Sequence, residues 1–416
     1  MSDSLKRPET HAGLSLSSLL KQLVVDGDGK ALGKLSDVVI RTRADNYPLL
    51  TGLVIRLGNL DYAIPMNAVS RLDKLAVSVR TAKMDVRPFE KRDGELLLKK
   101  NILGHRLIDV PRSALVKAFD VRLAPSPEGW LVTGLDVHKN SWFHRTRNEN
   151  HAVRDWHSFL LLEGDQRGAG MRPAVYRLHK LNAAQIADII ESASSREEGI
   201  LLAQVHEDLE LEADVFEELE DNKQAKLLNA RTDEEVAGLL SRMRADDAAD
   251  AVMDLAQERR QDVLELLPSA QKTKILTLLG YHEATAGGLM GPDFLAISED
   301  KTVGDALQAV RLATTLQAEA LTMIYTLRSD GSLAGTISLV RALQSAPKIP
   351  LRDAADPNLV IASPRDDIVT VTTRMADFNL LSLPVVDSEK KMLGIVTVDD
   401  ALEAAIPRDW ARRRRF

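Results

Sequence analysis

The chain has 416 residues, a formal net charge of −7 and no cysteine. Since a domain usually holds about 100–200 residues, this length predicts two to four domains. The absence of cysteine excludes disulfides, thiolate metal sites and cysteine nucleophiles. No stretch reaches the roughly 18 uncharged apolar residues of a membrane helix, and the polar opening MSDSLKRPETHAG lacks the apolar segment of a signal peptide. We therefore expect a cytoplasmic protein without a transmembrane segment, either free or peripheral to the membrane.

The charge is unevenly distributed along the chain. Residues 1–180 carry 29 Lys+Arg and 20 Asp+Glu, residues 181–281 carry 10 and 23, and residues 282–416 carry 15 and 18. The three segments therefore have charges of +9, −13 and −3, which sum to −7. Stretches rich in Gly and Pro coincide with both changes, so we predict domain boundaries near 170–180 and 281–291.

The basic first third contains an internal repeat. Residues 19–55 align with residues 101–137, and the aligned pairs are Asp26 with Asp109, Asp37 with Asp120, and Thr51-Gly52-Leu53 with Thr133-Gly134-Leu135. Short runs of alternating apolar residues between Gly, Asp, Asn and Pro turns predict β-strands. We expect two small sheets or barrels side by side.

The first copy carries a motif of known β-barrels. Val25-Asp26, Gly33 and Asp37-Val38-Val39 resemble the turn and the following strand of PRC-barrel domains, whereas the second copy has Val116 in place of the glycine. The turn at residues 27–36 misses the P-loop spacing by one residue, and it has Ala31 where a calcium loop needs glycine. We interpret it as a Gly/Asp hairpin turn.

A group of histidines and aromatic residues ends this part of the chain. Its members are His138, His144, His151, His157, Trp142, Phe143 and Trp156, interspersed with arginines. The histidine spacings of six and seven residues do not suit a metal site on one helix face, which needs three or four. Two interpretations stay open: a basic aromatic surface that meets lipid or a partner, or a packed and solvated end of the second barrel.

Residues 178–281 consist of short helical units. Each unit has a polar start and an apolar i, i+3, i+4 stripe, and the units are Asn182–Ala193, Ser195–His206, Glu210–Leu219, Asn222–Leu228, Thr232–Met243, Asp246–Leu255, Gln257–Leu267 and Ser269–Leu279. One such helix cannot bury its stripe alone, so the repetition predicts stacked helices in an acidic α-solenoid, a superhelix.

The stretch RADDAADAVMDL at residues 244–255 concentrates carboxylates at a helix start. Asp246 and Asp250 are four residues apart on one face, and Asp247 lies beside them. Like charges at this spacing cost about 0.2–0.5 kcal/mol unless a cation offsets them. The pattern indicates either a site for a hard, oxygen-seeking divalent ion or N-capping by Asp246 with a solvated acidic face.

The last third contains a second repeat, in which residues 322–343 align with residues 382–403 in a predicted β-α-β-β-α order. The phrases LPVVD at 383–387 and GIVTVDD at 394–400 resemble a tandem pair of CBS domains. In that family the two copies form one module, adenine nucleotides such as ATP or AMP bind in its clefts, and the pair assembles into a homodimer.

The resemblance to CBS domains also implies nucleotide-binding residues. The hydroxyl of the [ST]-x-x-D motif lies near phosphate and the Asp contacts the ribose, which implies Thr397 and Asp400 in the second copy and Ser338 in the first. The first copy has Arg341 in place of the Asp, and a cation cannot accept ribose hydroxyls although it suits a phosphate. The alternative role for Asp400 is to cap the helix 399–405.

The order of acidic helices, junction AGGLM at 286–290 and CBS pair resembles the cytosolic half of MgtE-type magnesium transporters over residues 175–405. In that family Mg²⁺ ions between the helical domain and the CBS pair neutralise carboxylates, so the domains close at high Mg²⁺. The resemblance implies Asp246, Asp250 and Asp247 as metal ligands. Asn379 and Arg408 stand where the family has acidic residues on the facing side. The membrane half of such transporters is missing, so we do not expect this chain alone to conduct ions.

The predicted class is a multidomain α and β protein with an N-terminal double PRC-like β-barrel, an α-helical superhelix and a tandem CBS pair. The expected segments are 1–14 as a disordered N-terminus, 15–98 and 99–170 as the two barrels, 175–281 as the helical N domain, 286–345 and 346–406 as the CBS copies, and 407–416 as a basic tail. The tail, with Arg412 to Arg415, suits anionic lipid, nucleic acid or the acidic helices of the same chain, or it is a solubilising end.

The predicted function is regulatory. We expect the protein to sense Mg²⁺ and an adenine nucleotide where the helical domain meets the CBS pair, and to pass its state to a protein partner through the barrels. The alternative is a ligand-independent scaffold or an accessory subunit of a membrane transporter, which Arg341, Asn379 and Arg408 favour. No nucleophile with a base and no paired acid and base is visible, so we do not expect an enzyme. We do not expect nucleic acid as a partner either.

Overall fold

The computed structural model describes residues 13–20, 22–43, 46–80, 90–92, 94–137, 153–162, 178–314 and 316–406. The chain divides into two units, residues 1–219 and residues 220–416, each compact in itself. His138, His144, His151, Arg408 and the arginines of the tail lie outside the described residues, so the hypotheses on them stay predictions.

The first unit begins with β-structure. Its described strands are Leu14–Ser15, Leu23–Val25, Ala31–Arg41, Leu49–Leu57, Leu60–Pro65, Val69–Leu72, Val77–Val79, Glu95–Leu97, Arg106–Asp109, Ala114–Lys117, Asp120–Ser126, Gly129–Asp136, Arg154–Asp155 and Phe159–Leu161. Single helical turns lie between them at Leu16–Leu19, Met66–Ala68, Leu98–Ile102, Val110–Arg112 and Trp156–Ser158. Eleven strands share one sheet and three strands form a second sheet. The predicted β-fold is confirmed.

The longest strand, Ala31–Arg41, explains the continuous apolar run in its sequence. Side chains alternate between the two faces of a strand. Val38 and Ile40 lie in the main core of this unit, whereas Val39 packs with Val54 and Leu97 on the opposite face. Both faces are apolar at this point because the sheet is covered on both sides.

The two aligned copies exchange their opening strands. Leu14–Ser15, which precedes the first copy, pairs with Asp120–Ser126 of the second. Glu95–Leu97, which precedes the second copy, pairs with Ala31–Arg41 of the first. Strand Gly129–Asp136 also reaches the first copy through the pairing of Leu131 with Leu49. The copies therefore share one sheet, a detail that the repeat in the sequence did not specify.

The aligned aspartates Asp37 and Asp120 fix this exchange by hydrogen bonds. Asp37 accepts the backbone N–H groups of Lys99 and Lys100 at 2.7 and 3.0 Å, in the turn that precedes the second copy. Asp120 accepts the backbone N–H of Ser17 at 3.0 Å and also its hydroxyl, in the turn that precedes the first copy. Burial raises the pKa of Asp37, and the backbone N–H donors oppose that rise.

The turn at residues 27–36 is the predicted Gly/Asp hairpin. The carboxylate of Asp26 accepts the backbone N–H groups of Asp28 and Lys30 at 3.0 and 2.8 Å. Gly29 has a φ of +81°, a left-handed conformation that glycine adopts without strain. The carboxylate of Asp26 therefore forms its hydrogen bonds within the turn itself.

Eight helices follow in residues 183–278, a stretch that is described without a gap. They are Ala183–Ser192, Ser195–Val205, Leu209–Glu217, Asp221–Asn229, Asp233–Leu240, Ala245–Asp254, Gln257–Leu266 and Ser269–Leu278. Each matches a predicted unit to within a few residues. Asn182, Ser194 and Thr232 start their helices with capping boxes, as their hydroxyl or amide side chains suggest.

The CBS repeat is confirmed in the second unit. The first copy contains Ala296–Ser298, Val303–Leu312, Met323–Leu327, Leu333–Ser338 and Leu339–Gln344, and the second contains Ile368–Asp377, Ser382–Val386, Met392–Thr397 and Val398–Ala405, with the one-turn helices Ala286–Leu289 and Leu351–Ala354 outside the repeat. The registers are equivalent, since Met323 pairs with Ser338 and Ser382 pairs with Thr397. The copies share a core that includes Tyr325, whose hydroxyl lies 2.9 Å from the hydroxyl of Ser382.

The junction AGGLM packs directly on the second CBS copy. The backbone N–H groups of Ala286 and Gly287 donate to the carbonyl oxygens of Asp366 and Pro364. Gly291 and Ile395 exchange two backbone hydrogen bonds of 2.9 Å. The junction therefore adds an edge to the second CBS sheet, which fixes the end of the helical domain relative to that sheet.

Candidate functional site

The site is built on the helix Ala245–Asp254. Alanine and valine side chains on one face, including Ala248, Ala251 and Val252, are buried against the helices Asp221–Asn229 and Ser269–Leu278. The small alanines allow close packing, and they leave the acidic residues on the remaining face. Asp246, Asp250 and Asp254 follow at intervals of four residues, and we call them the acidic stripe.

N-capping by Asp246 is wrong as an interpretation. The helix begins after Arg244, and Asp246 occupies its second position rather than the cap. The N-cap residue, Arg244, makes no capping hydrogen bond with its side chain. The acidic stripe is therefore not explained by capping.

The pKa of each member of the acidic stripe is raised. Burial raises the pKa of Asp246 and the charge of Asp400 adds to it, although Arg244 opposes both. Removal from water by the surrounding protein raises the pKa of Asp250 to about 6, although the residue is exposed at the surface, and the charges of Asp246, Glu283, Asp254 and Asp221 contribute further. This part of the molecule therefore has an excess of negative charge.

The same trend reaches the last residue of the stripe. Burial raises the pKa of Asp254, Asp221 and Glu283 raise it further, and Arg260 opposes the rise. Carboxylates that repel one another in this way are stabilised by a bound cation or by a proton.

Arg244 joins this helix to the second CBS copy. Its Nε donates to Asp247 at 2.6 Å, and its Nη1 donates to Asp400 at 2.9 Å. The Arg244 and Asp400 side chains are only 24% and 12% exposed. We call Arg244, Asp247 and Asp400 the Arg244 clasp. Sequence reasoning did not identify Arg244. The signal that could have identified it is a cation placed directly before a run of acidic residues.

The predicted nucleotide residues all have intramolecular partners. The hydroxyl of Thr397 donates to Asp400, whose other oxygen accepts Arg244. Thr397 is the residue before the helix Val398–Ala405, and Asp400 is the third residue of that helix. Ser338 starts the helix Leu339–Gln344 by accepting the backbone N–H of Arg341 at 3.2 Å. Nucleotide binding by these residues stays a prediction.

Asn379, which stands where the resemblance implied an acidic residue, has a local structural role. Its φ is +51°, in the turn after the helix Ile368–Asp377. Asparagine is one of the few residues that favour this left-handed position at a helix end. The residue type at this position is therefore explained by the turn.

The described residues contain no group of three or more acidic or histidine side chains close enough to hold a metal ion. Asp246, Asp250 and Asp247 thus lie on one helix, as predicted, without converging on a single point. Within the same part of the chain, no helix is long and apolar enough to cross a membrane.

Two family models match the chain. The MgtE intracellular N domain matches residues 181–284, and the CBS domain matches residues 351–406. Among similar proteins, the magnesium transporter MgtE of Thermus thermophilus is 35% identical over 161 residues, which are 38% of this chain and 36% of that protein. MgtE of Enterococcus faecalis is 30% identical over 135 residues, 32% of this chain and 30% of that protein. The matches thus span about a third of the length of these two relatives.

Solved structures give a similar result. The cytosolic domain of the Mg²⁺ channel MgtE in complex with ATP has a TM-score of 0.52 at 28% identity, and the match covers 55% of this chain and 93% of that one. The soluble part of a magnesium transporter has a TM-score of 0.51 at 24% identity, with 56% and 89% covered. Residues 181–284 thus match the MgtE intracellular N domain and residues 351–406 a CBS domain, so this part of the chain has the domain order of the cytosolic half of MgtE-type magnesium transporters.

Proposed function

We propose that this is a non-catalytic regulatory protein that senses Mg²⁺ at the acidic stripe, where the helical domain meets the second CBS copy. The observation that carries the proposal is the placement of Asp246, Asp250 and Asp254 at intervals of four residues on one helix, and the raised pKa of all three agrees with it. Burial is the largest cause of these raised pKa values and repulsion between the carboxylates adds to it, and a divalent cation would offset both by stabilising the charged form. Binding would therefore favour the state in which the carboxylates lie closest together.

The residues present fit Mg²⁺ as a hydrated ion. Mg²⁺ takes oxygen ligands and usually keeps several waters, so that one or two carboxylates suffice to hold it. Asp250 and Asp246 would hold the ion, and Glu283 and Asp221 are near enough to raise the pKa of Asp250 through their charges. Binding of Mg²⁺ with its waters suits a stripe of separate carboxylates better than a closed metal cage does.

An adenine nucleotide is the second proposed ligand. One similar structure contains ATP, and it belongs to the cytosolic domain of an MgtE channel. In this chain Thr397 and Asp400 would contact the phosphate and ribose, and Ser338 with Arg341 would offer a hydroxyl and a cation to a phosphate. ATP and AMP are the nucleotides to test.

We propose that the protein acts as a homodimer through its CBS pair and transmits its state through the β-structured part. Exposed apolar side chains cover the helices of both CBS copies: Leu312, Val340, Leu343, Val369, Phe378 and Leu402. In the first unit, Arg106 of the β-part donates to Glu197 at 2.9 Å and Gln204 donates to the carbonyl oxygen of Leu162 at 3.1 Å. The β-part is therefore attached to the first helices of the N domain.

The test is a titration with MgCl₂ at ionic strength held constant with KCl, followed by calorimetry and solution scattering. We expect heat of binding and compaction below about 10 mM Mg²⁺, with monovalent screening excluded by the constant ionic strength. The double variant Asp246→Asn/Asp250→Asn should lose both signals. The matched control, Asp262→Asn/Asp300→Asn, removes the same charge from exposed positions and should keep them.

A wild-type protein that shows neither heat nor compaction would contradict the sensor. The Arg244 clasp gives specific support to the second candidate, a ligand-independent scaffold, because an arginine already joins the two helices. The scaffold predicts the same scattering curve with and without Mg²⁺.

A further inference from the structure

We propose that Arg244 is a tethered cation that holds the helix Ala245–Asp254 against the helix Val398–Ala405 without Mg²⁺. The clasp takes the place of a bridging divalent ion at the start of the acidic stripe. The clasp itself is independent of the proposed function. The division of labour that it implies, with Arg244 serving Asp247 and Asp400 while Mg²⁺ acts at Asp250 and Asp246, rests on the proposed function.

The geometry suits a permanent bridge. A guanidinium is planar, stays charged at every physiological pH and presents its donors as a fork. Arg244 uses two points of this fork on carboxylates from two different helices, at 2.6 and 2.9 Å. Hydrogen bonds between two charged groups are the stronger class, and salt screens partly buried pairs less than exposed ones.

The charges along the stripe support this division. Arg244 interacts with Asp246, Asp247 and Asp400, which together form the acidic surroundings of the helix start. The charges with the largest effect on the pKa of Asp250 are those of Asp246, Glu283, Asp254 and Asp221, all of which raise it. One end of the stripe thus has its own cation, whereas the Asp250 end keeps an excess of negative charge.

The clasp also competes with the proposed nucleotide. One oxygen of Asp400 accepts Arg244 and the other accepts the hydroxyl of Thr397. A ribose that uses Asp400 would compete with Arg244 for this carboxylate, and ATP or AMP would then loosen the contact between the two helices. We therefore expect Arg244→Gln to bind AMP more tightly than the wild type does.

The experiment measures hydrogen exchange in the full chain, for peptides that cover residues 245–254 and 398–405. In EDTA, Arg244→Gln should exchange about tenfold faster than the wild type in both segments, because a charge-assisted bridge is lost. Adding MgCl₂ at constant ionic strength should restore protection in Arg244→Gln, since the ion can supply the positive charge that Asp246, Asp247 and Asp400 lose with the guanidinium. The matched control, Arg352→Gln, removes a guanidinium from the exposed pair with Asp300 and should change neither segment.

Asp400→Asn tests the clasp from the other helix. Asp400→Asn should lose the same protection from exchange, and Mg²⁺ should not restore it. The double variant Arg244→Gln/Asp400→Asn should exchange no faster than either single variant, because both changes remove the same bridge. Full protection of Arg244→Gln in EDTA would overturn the clasp. Lost protection that Mg²⁺ fails to restore would overturn the role of Arg244 as a substitute for the ion. These results are separate from the wild-type titration, so the sensor can fail while the clasp stands.

Discussion

At the scale of single residues, Asp246 and Asp250 look alike in the sequence but differ in their surroundings. The positive charge of Arg244 lowers the pKa of Asp246, whereas the charged neighbours with the largest effect on the pKa of Asp250 are all acidic. The sequence predicted that both lie on one helix face, which follows from helical periodicity. The sequence did not reveal that Glu283 and Asp221 raise the pKa of Asp250, because only the packing of distant parts of the chain brings these residues close to it.

The pKa of Asp250 gives a prediction of pH dependence. This carboxyl has a pKa of about 6 in the folded protein and about 3.9 in an unfolded chain. Since the folded state binds the proton more tightly, Asp250 stabilises the fold below about pH 4, and this contribution is lost as the pH rises through about 6. In EDTA, Asp250→Asn should therefore raise the melting temperature at pH 7.5 by about 1–3 °C and less at pH 5. Circular dichroism at both pH values measures this, and an equal shift at the two would contradict the assignment.

At the scale of elements, the junction and the second CBS sheet meet backbone to backbone. A Cβ atom on Gly394 would lie 2.7 Å from the carbonyl oxygen of Gly291 and 2.9 Å from Cγ of Met290. A Cβ on Gly288 would lie 2.5 Å from the carbonyl oxygen of His282. The glycines at these positions are required by close approach, which explains why the phrase AGGLM marks the junction.

Gly394→Ala should therefore destabilise the second unit. Overpacking of this kind costs about 1–3 kcal/mol. Gly238→Ala is the control in the same unit, since nothing lies within 4 Å of its Cβ position inside a helix. That change should stabilise by about 0.5–1 kcal/mol. Urea denaturation followed by circular dichroism compares the two, and a loss of stability in both variants would contradict the explanation.

The exchange of opening strands in the β-part gives another prediction at this scale. Asp37→Ala leaves the N–H groups of Lys99 and Lys100 without their acceptor, and Asp120→Ala does the same to Ser17. Each variant should lose about 1–3 kcal/mol of stability. Asp61→Ala, which removes an exposed pair with Arg56, should cost at most about 1 kcal/mol. Thermal denaturation tests this, and similar costs for buried and exposed aspartates would argue against the exchange.

At the scale of the whole molecule, the exposed apolar residues of the CBS pair are the feature that the monomer leaves unexplained. Val340 and Leu343 are both 63% exposed on the helix Leu339–Gln344 of the first copy, and Val369 is 73% exposed on the helix Ile368–Asp377 of the second copy. Water contact with such surfaces is unfavourable, and clusters of them mark interfaces. A second copy of the chain, related by a twofold axis, would cover the exposed apolar residues of both CBS copies at once.

Leu343→Glu and Val369→Glu should therefore convert a dimer to a monomer. Placing a charge in an apolar interface leaves that charge without a partner and away from water. Light scattering coupled to size exclusion gives the mass, and Leu75→Glu is the control because Leu75 is 84% exposed in the β-part. A wild-type chain that stays monomeric at about 100 μM would contradict the dimer.

The elements themselves were largely predictable. Capped helices with apolar stripes, alternating strands and two repeats are local patterns, which are visible along the chain without knowledge of which elements pack together. The helical units at 182–279 and the CBS order needed no tertiary information. The repeat in the β-part was equally visible, whereas its exchanged strands were not, because strand pairing between distant segments leaves no mark on local periodicity.

The sequence by itself determined the domain order, the acidic character of the helical domain and the face on which Asp246 and Asp250 lie, since all of these follow from composition and periodicity. Only the tertiary structure decided that Arg244 bridges Asp247 and Asp400, 156 positions further along the chain. The physical reason is that a charge acts through space. Which carboxylates a guanidinium neutralises, and which it leaves for another cation, depends on how the helices pack.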